Sequence, residues 1–315
     1  MSVCQTLSPA KHDDIEFVKQ SQSYFTSDTD VLTEKGWMNC YKVSQRFDKL
    51  ASFNTTTNTI EFQPILSYQL KSCRDDLVEF DTLAVSTSHE ILHMENGWKK
   101  ENVLDCSSRV SIATCGSIGV QKELTDRDKS IIRLLAWVVV RGMSKYNHHN
   151  SDGDGMYKYS KCNVTENEYE SLLPDINLLG FRHEYTKSDN VLNMKYHNTD
   201  ISFYKSSIAI PLEINSLSLM VDSVIEASNV KDGKFLVENY SQAERFLMYS
   251  ALIDRPFSCT GIRKSNKNRY SYEMSPIEKF RPIEMKFSFR NYRAFHFETG
   301  NGNLIVKRQG KIYIT

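Results

Sequence analysis

The chain of 315 residues is notable first for what it lacks. No apolar run approaches the roughly 18 residues that cross a bilayer as a helix, so no membrane span is expected. There is no C-x-x-C. The seven cysteines, at 4, 40, 73, 106, 115, 162 and 259, are odd in number and widely spaced. That argues against a disulfide framework and a cysteine-only zinc site, and for reduced thiols. P-loop, G-x-G-x-x-G and G-x-S-x-G patterns are missing, which argues against an NTPase, a dinucleotide-binding dehydrogenase and an α/β-hydrolase. No internal repeat, heptad array or low-complexity tract is found. The first residues, MSVCQTLSPAKHDDIEF, show no basic stretch leading into an apolar one. A cytoplasmic protein (host cytoplasm if viral) is therefore expected, with the sequons at Asn54, Asn163 and Asn239 unmodified.

What is present is ordinary globular usage, 40% hydrophobic and 25% charged, which argues against wholesale disorder. The length allows one large domain or two. Only 10 alanines stand against 21 asparagines, a bias associated with AT-rich genomes such as those of many viruses. Lys plus Arg and Asp plus Glu are both 39, so the net charge is zero. The charge is unevenly spread. Residues 151–254 hold 9 basic and 16 acidic side chains, whereas residues 255–315 hold 13 and 4. A basic end suggests a polyanionic partner. The alternative is that the acidic middle packs against the basic end, within one chain or between copies as a homo-oligomer.

Local signals predict an α+β protein with a mostly helical N-terminal half, a mixed middle and an antiparallel β-meander at the basic C-terminal end. Helices are expected at 8–25, 37–53 and 76–96, the last closed by Gly97 as a C′ residue. Strands are expected at 59–70 and 109–120. Thr125 and Asp128 open the most apolar helix, 129–143, and Thr165 with Glu168 caps another ending at Gly180. Residues 190–210 read as two strands, and 212–227 and 242–253 as helices. Strands at 283–291, 292–298, 304–308 and 311–314 complete the meander, with turns at 300–303 and 309–310. The expected division is a mainly helical region 1–146, a loop or linker 147–156, and an α+β region 157–315.

Two constellations carry chemistry. His89-Glu90-Ile91-Leu92-His93 is an H-E-x-x-H pattern. On a helix, positions i and i+4 share a face, so both imidazoles can bind one zinc and Glu90 can act as base on the bound water. The motif resembles the active-site helix of zinc metallopeptidases. The resemblance covers five residues and implies His89 and His93 as ligands and Glu90 as catalytic base. It departs from that pattern after His93, where no G-x-x-H follows. A third ligand would come from farther away, with Glu101, Asp105, Glu123 and His148 as candidates. No cofactor other than such a zinc is expected.

The second constellation is the basic, aromatic C-terminal end. Arg263, Lys264, Lys267 and Arg269 form a basic loop. The strand period places Lys286, Ser288 and Arg290 on one face and Phe287 and Phe289 on the other, and groups Arg293 with Phe295 and Phe297. With Lys307, Arg308 and Lys311 these residues form the expected surface for RNA, by phosphate neutralisation and base stacking. The competing view is that the phenylalanines are core and the basic face is merely solvated. The leading expectation is an RNA-binding protein. The alternatives are the zinc metallopeptidase and a virion-type assembly protein. A weaker pattern, Asn150-Ser-Asp152-Gly-Asp154-Gly155, matches half of a calcium loop but places Lys161 where a bidentate Glu is required.

Overall fold

The computed structural model describes residues 23–106, 109–119, 123–148, 157–197, 214–228, 230–237, 240–263 and 270–315. Its architecture corrects the expected one. The chain is rich in antiparallel sheet, and its N-terminal half is not mostly helical. Among the described residues 21 strands accompany four α-helices.

The first sheet has seven strands in the order β1 (Phe25–Thr26), β7 (Leu83–Ser86), β6 (Ser67–Phe80), β19 (Phe280–Glu298), β10 (Arg109–Ala113), β8 (Glu90–Met94) and β9 (Trp98–Asn102). β1 also pairs with β19, Phe25 opposite Phe295, so four strands close on themselves at one end. The second sheet holds β11 (Ser117–Ile118), β5 (Thr59–Pro64), β4 (Lys49–Asn54), β2 (Asp30–Thr33), β20 (Ile305–Arg308) and β21 (Lys311–Ile314), with β3 (Gly36–Asn39) beside β2. Between these sheets lies a core of Phe25, Val31, Leu50, Phe80, Ile91, Phe295, Val306 and Tyr313.

Two of the helices expected in the N-terminal half are strands and turns. Residues 37–53 contain β3, a 3-10 turn (Cys40–Lys42) and β4. Residues 76–96 contain the end of β6, β7 and β8. Their side chains are buried on both faces: β7 is buried at all four positions, and Ile91, Leu92 and His93 are buried in succession. A doubly covered strand loses the alternation that identifies a strand in sequence. The turns are built from residues that tolerate positive φ, Asp81 at 54° and Asn96 at 55°. Gly97, read as a helix terminator, has φ 136° and closes the β8–β9 hairpin, where Glu95 N–H bonds Gly97 O. The expected helix 8–25 falls largely outside the described residues, as do the core of the 147–156 loop and the 198–210 part of the second strand expected in 190–210.

Where caps mark the ends, the sequence reading holds. α1 (Asp126–Arg141) begins at Thr125, whose Oγ1 accepts from Asp128 N–H. α2 (Glu166–Leu179) has a complete Thr165–Glu168 capping box and ends at Gly180 in the left-handed region. α3 (Ile214–Ala227) and α4 (Tyr240–Leu252) complete the helical layer. Their apolar faces build a second core with Leu134, Trp137, Leu217, Phe246 and Leu247. A four-stranded sheet, β12 (Gly142–His148), β13 (Tyr157–Asn163), β15 (Val191–His197) and β14 (Arg182–Thr186), lies beside α1. Lys161 belongs to β13. A three-stranded sheet joins β16 (Phe235–Val237), β18 (Tyr270–Pro276) and β17 (Phe257–Arg263).

The C-terminal strands lie near the expected positions but form no single meander: 283–291 and 292–298 are one strand, β19, paired with β6 over fourteen residues in the first sheet, whereas β20 and β21 pair with each other in the second. The 309–310 turn is tight. Gly310, at φ 77°, approaches so closely that a Cβ would collide with Cys259 O.

Candidate functional site

The strand position of the histidine motif removes the metallopeptidase geometry. Glu90–Met94 is β-strand, not helix. His89 and His93 do fall on one face, but four steps along extended chain separate them by roughly 13 Å, too far to share one ion. Glu90 points to the other face and forms an ion pair with Lys100 at 2.8 Å. The two histidines belong to different sites.

His89 lies beside the start of the described chain. The aromatic row Phe25, Phe295 and Phe297 seats β1 in the sheet: Phe25 and Phe295 stack at 5.5 Å. Burying Phe25 contributes roughly 2–3 kcal/mol toward holding β1 in place. The seating of β1 fixes Ser23 and Tyr24 just ahead of it. Ser23 Oγ accepts from Glu90 N–H at 3.0 Å. Ser23 O lies 2.6 Å from His296 Nδ1. A carbonyl only accepts, so His296 Nδ1 carries the hydrogen. Tyr24 N–H donates to Ser86 Oγ at 3.2 Å, and Tyr24 O accepts from Ser86 N–H at 2.9 Å. Ser86 Oγ in turn lies 3.0 Å from Ser88 Oγ.

The Ser23–Tyr24 peptide is thus clasped at both its oxygen and its nitrogen. Its neighbour is His89, whose ring meets the Phe25 ring at 4.5 Å, edge to face. His89 is buried, and among the described residues neither ring nitrogen has a hydrogen-bond partner. Burial, with smaller contributions from the His296 and Lys100 charges, pushes its pKa down to about 3. At neutral pH it is an uncharged imidazole, holding one N–H and one lone pair unmet. Leaving buried polar atoms unmet costs roughly 1–3 kcal/mol each. Such a group calls for a functional explanation.

Around His93 the surroundings are polar. His93 Nε2 lies 3.3 Å from Glu101 Oε2, and Lys99 Nζ lies 3.0 Å from Glu101 Oε1. Glu101 was among the candidate third ligands, and the fold brings it to His93. Cys106 joins them, its ligand atom within 4.8 Å of the other two.

The basic set is divided. Lys307 is buried, ion-paired with Glu244 and with Asp30 at 3.4 Å. Arg308 is buried against Asp28 at 2.7 Å, and Lys311 meets Asp81 at 2.7 Å. These three act within the fold. Arg255–Asp222 and Lys279–Asp254 also join the basic end to the acidic middle inside one chain. Lys286 and Arg293 are exposed on β19. Arg290 lies between them in the same strand, and Arg263 ends β17. Lys264, Lys267 and Arg269 lie outside the described residues. Phe295 and Phe297 are core, but Phe287 and Phe289 are 70% and 63% exposed. Among the described residues no helix is long and apolar enough to cross a membrane.

Ser23, Ser86 and His296 carry no local signature, since their positions gather only through sheet pairing. The one signal for this region was the histidine pair, which pointed to a different geometry. The fold and site define a β-rich chain in which His296 and the Glu90 amide hold a serine.

No family model matches the chain, and no curated protein is similar to it. Among solved structures, it is similar to a splice-inactive variant of the AceL NrdHF class 3 split intein, at 8% identity and a TM-score of 0.35, over 92% of this chain and 95% of that one. It is also similar to the N-terminal LAGLIDADG domain of DUF199/WhiA, at 8% identity and a TM-score of 0.32, over 49% of this chain and 79% of that one. Scores of this size lie below the range in which two chains share a fold, and neither likeness bears on function.

Proposed function

We propose that the Ser23 site performs acyl transfer on the chain itself, at the Gln22–Ser23 peptide bond. The observation that carries this reading is Ser23, whose Oγ accepts from the Glu90 amide and whose following peptide is clasped on both sides, with His89 one residue before Glu90, a buried imidazole with no hydrogen-bond partner among the described residues. A serine hydroxyl can reach the carbonyl that precedes it through a five-membered ring. In that step the Ser23 Oγ–carbonyl bond forms and the carbonyl–nitrogen bond breaks. The hydroxyl proton ends on the Ser23 amine. Water or an added nucleophile then opens the ester and releases a chain beginning at Ser23.

Each neighbour has a role in this step. The Glu90 amide, donating to Ser23 Oγ, stabilises that oxygen as it sheds its proton. His296 and Ser86 hold the following peptide so that the hydroxyl keeps one orientation. His89 supplies the unmet N–H and lone pair for proton movement at the Ser23 nitrogen. The test is intact-mass spectrometry of the purified chain with and without hydroxylamine, which cleaves esters. The expected product is a fragment spanning 23–315, absent in Ser23→Ala. No fragment from the wild type, or an equal yield from Ser23→Ala, overturns the proposal.

A second reading keeps the expectation of nucleic-acid binding, on a reduced surface. The β6–β19 ribbon carries Phe287 and Phe289, both largely exposed, next to Lys286 and Arg293. Aromatics of this kind stack on unpaired bases while the cations meet phosphates. Replacing Lys286 and Arg293 by Glu should weaken binding of a labelled single-stranded RNA and flatten its salt dependence. Unchanged binding and salt slope would end this reading.

A further inference from the structure

We infer that His93, Glu101 and Cys106 form a binding site for one borderline-soft divalent cation, zinc foremost, with a fourth position open to water. The inference is separate from the Ser23 reading and stands on different residues.

Three elements build the site. His93 projects from β8 and Glu101 from β9, where the register sets His93 opposite Lys99 and Ile91 opposite Glu101. His93 and Glu101 are therefore diagonal neighbours on one face, within reach of long side chains. Cys106 returns to that face through a turn organised by Asn102. Asn102 Oδ1 accepts from Leu104 N–H at 2.8 Å, and Asn102 O accepts from Asp105 N–H at 2.9 Å. The Cys106 thiol donates to Asn102 O at 3.3 Å, which aims the sulfur back along the hairpin.

The donor set is one imidazole, one carboxylate and one thiol, the mixed nitrogen, oxygen and sulfur set that zinc accepts. Zinc at about 2.0–2.3 Å from each donor needs donors roughly 3.3–3.8 Å apart. The His93–Glu101 contact of 3.3 Å meets that span already. The sulfur, within 4.8 Å of both, needs only a small side-chain rotation. His93 is buried and so keeps its imidazole fixed, whereas Cys106 and Glu101 are partly exposed and give the ion a way in. Lys99 stays on the second oxygen of Glu101, where its charge opposes the ion without occupying the oxygen that faces His93. Binding moves the Cys106 proton to solvent and the thiolate to the ion.

The test uses the full-length chain, stripped with a chelator and titrated with zinc chloride by calorimetry. Cobalt chloride is then added to read the thiolate-to-cobalt absorption band. The expected result is one ion per chain and a cobalt band. In Cys106→Ser the band should vanish and zinc affinity should fall by about 100-fold or more, at least the scale seen for outer partners. Cys259→Ser should keep both. Because His93 is buried, His93→Ala can also perturb folding, so the partly exposed Cys106 carries the decision. No stoichiometric binding by the wild type, or unchanged affinity in Cys106→Ser, overturns the site.

Discussion

His89 and His93 occupy the same face of one strand segment and are both buried, yet their surroundings are opposite. His93 reaches a carboxylate at 3.3 Å and a nearby thiol, in a cluster open at its edge to solvent. His89 has no hydrogen-bond partner among the described residues, its ring lying edge to face with Phe25. The difference follows from position along the sheet. His93 sits opposite Lys99 of β9, a strand at the end of its sheet with charged, exposed residues. His89 lies just outside β8, where the aromatic row of β1 and β19 covers it. The comparison teaches that residue spacing identifies reactive side chains but not their partners. The same pair on a helix would share one ion, whereas on a strand each histidine serves its own site.

This contrast can be broken or sharpened by experiment. The largest effect is expected at Ser23. Ser23→Ala should remove the hydroxylamine-dependent 23–315 fragment altogether while leaving zinc stoichiometry at one, read by intact mass and calorimetry. Next is metal affinity. His93→Ala should weaken zinc by about 100-fold or more, whereas His89→Ala should change it by no more than about threefold. A comparable loss in both would mean that the two histidines act together after all.

Acid stability should separate them next. The folded-state pKa of His89 lies near 3, below its unfolded value of about 6.5. A group that is neutral when folded stabilises fully above pH 6.5, and that contribution is lost as the pH falls toward 3. The loss is roughly 1 kcal/mol per pH unit. Denaturant unfolding at pH 7, 6, 5 and 4 should show His89→Leu losing less stability than the wild type over this range. Parallel profiles would contradict the buried neutral state.

The smallest effect belongs to Lys99. Its pair with Glu101 is partly exposed and worth under about 1 kcal/mol. Lys99→Met should raise zinc affinity, by no more than about fivefold, because a cation no longer opposes the ion. A fall in affinity would instead assign Lys99 mainly to orienting the carboxylate.

How far the sequence foretold this molecule depends on how each element is encoded. α1 and α2 were legible because capping residues and a C-terminal Gly act locally, within four residues of what they fix. The final hairpin was legible because Gln309-Gly310 specifies its own turn. The strands at 49–54 and 83–94 were not, because both faces are buried and the period of two disappears. Asn96-Gly97 was a hairpin signal in plain view, outweighed by the apolar spacing before it. Lys307 and Arg308 read as part of an RNA-facing surface because nothing near them in sequence shows Asp28, Asp30 or Glu244, which pair with them only through the fold. The same holds for Ser23, Ser86 and His296, which lie 63 or more positions apart and are joined by the pairing of β1 with β7 and β19. Glu101 was nameable as a ligand candidate, being eight residues from His93, whereas Cys106 read as structural.

The central claim is that the unpartnered imidazole of His89 serves the bond at Ser23. The most direct measurement is the rate at which the 23–315 fragment forms under hydroxylamine in wild type, His89→Ala and His93→Ala, followed by intact mass. The account predicts a fall of roughly 100-fold or more in His89→Ala, the scale of a lost proton-transfer group, and a rate within about twofold of wild type in His93→Ala. Equal rates in wild type and His89→Ala would contradict it.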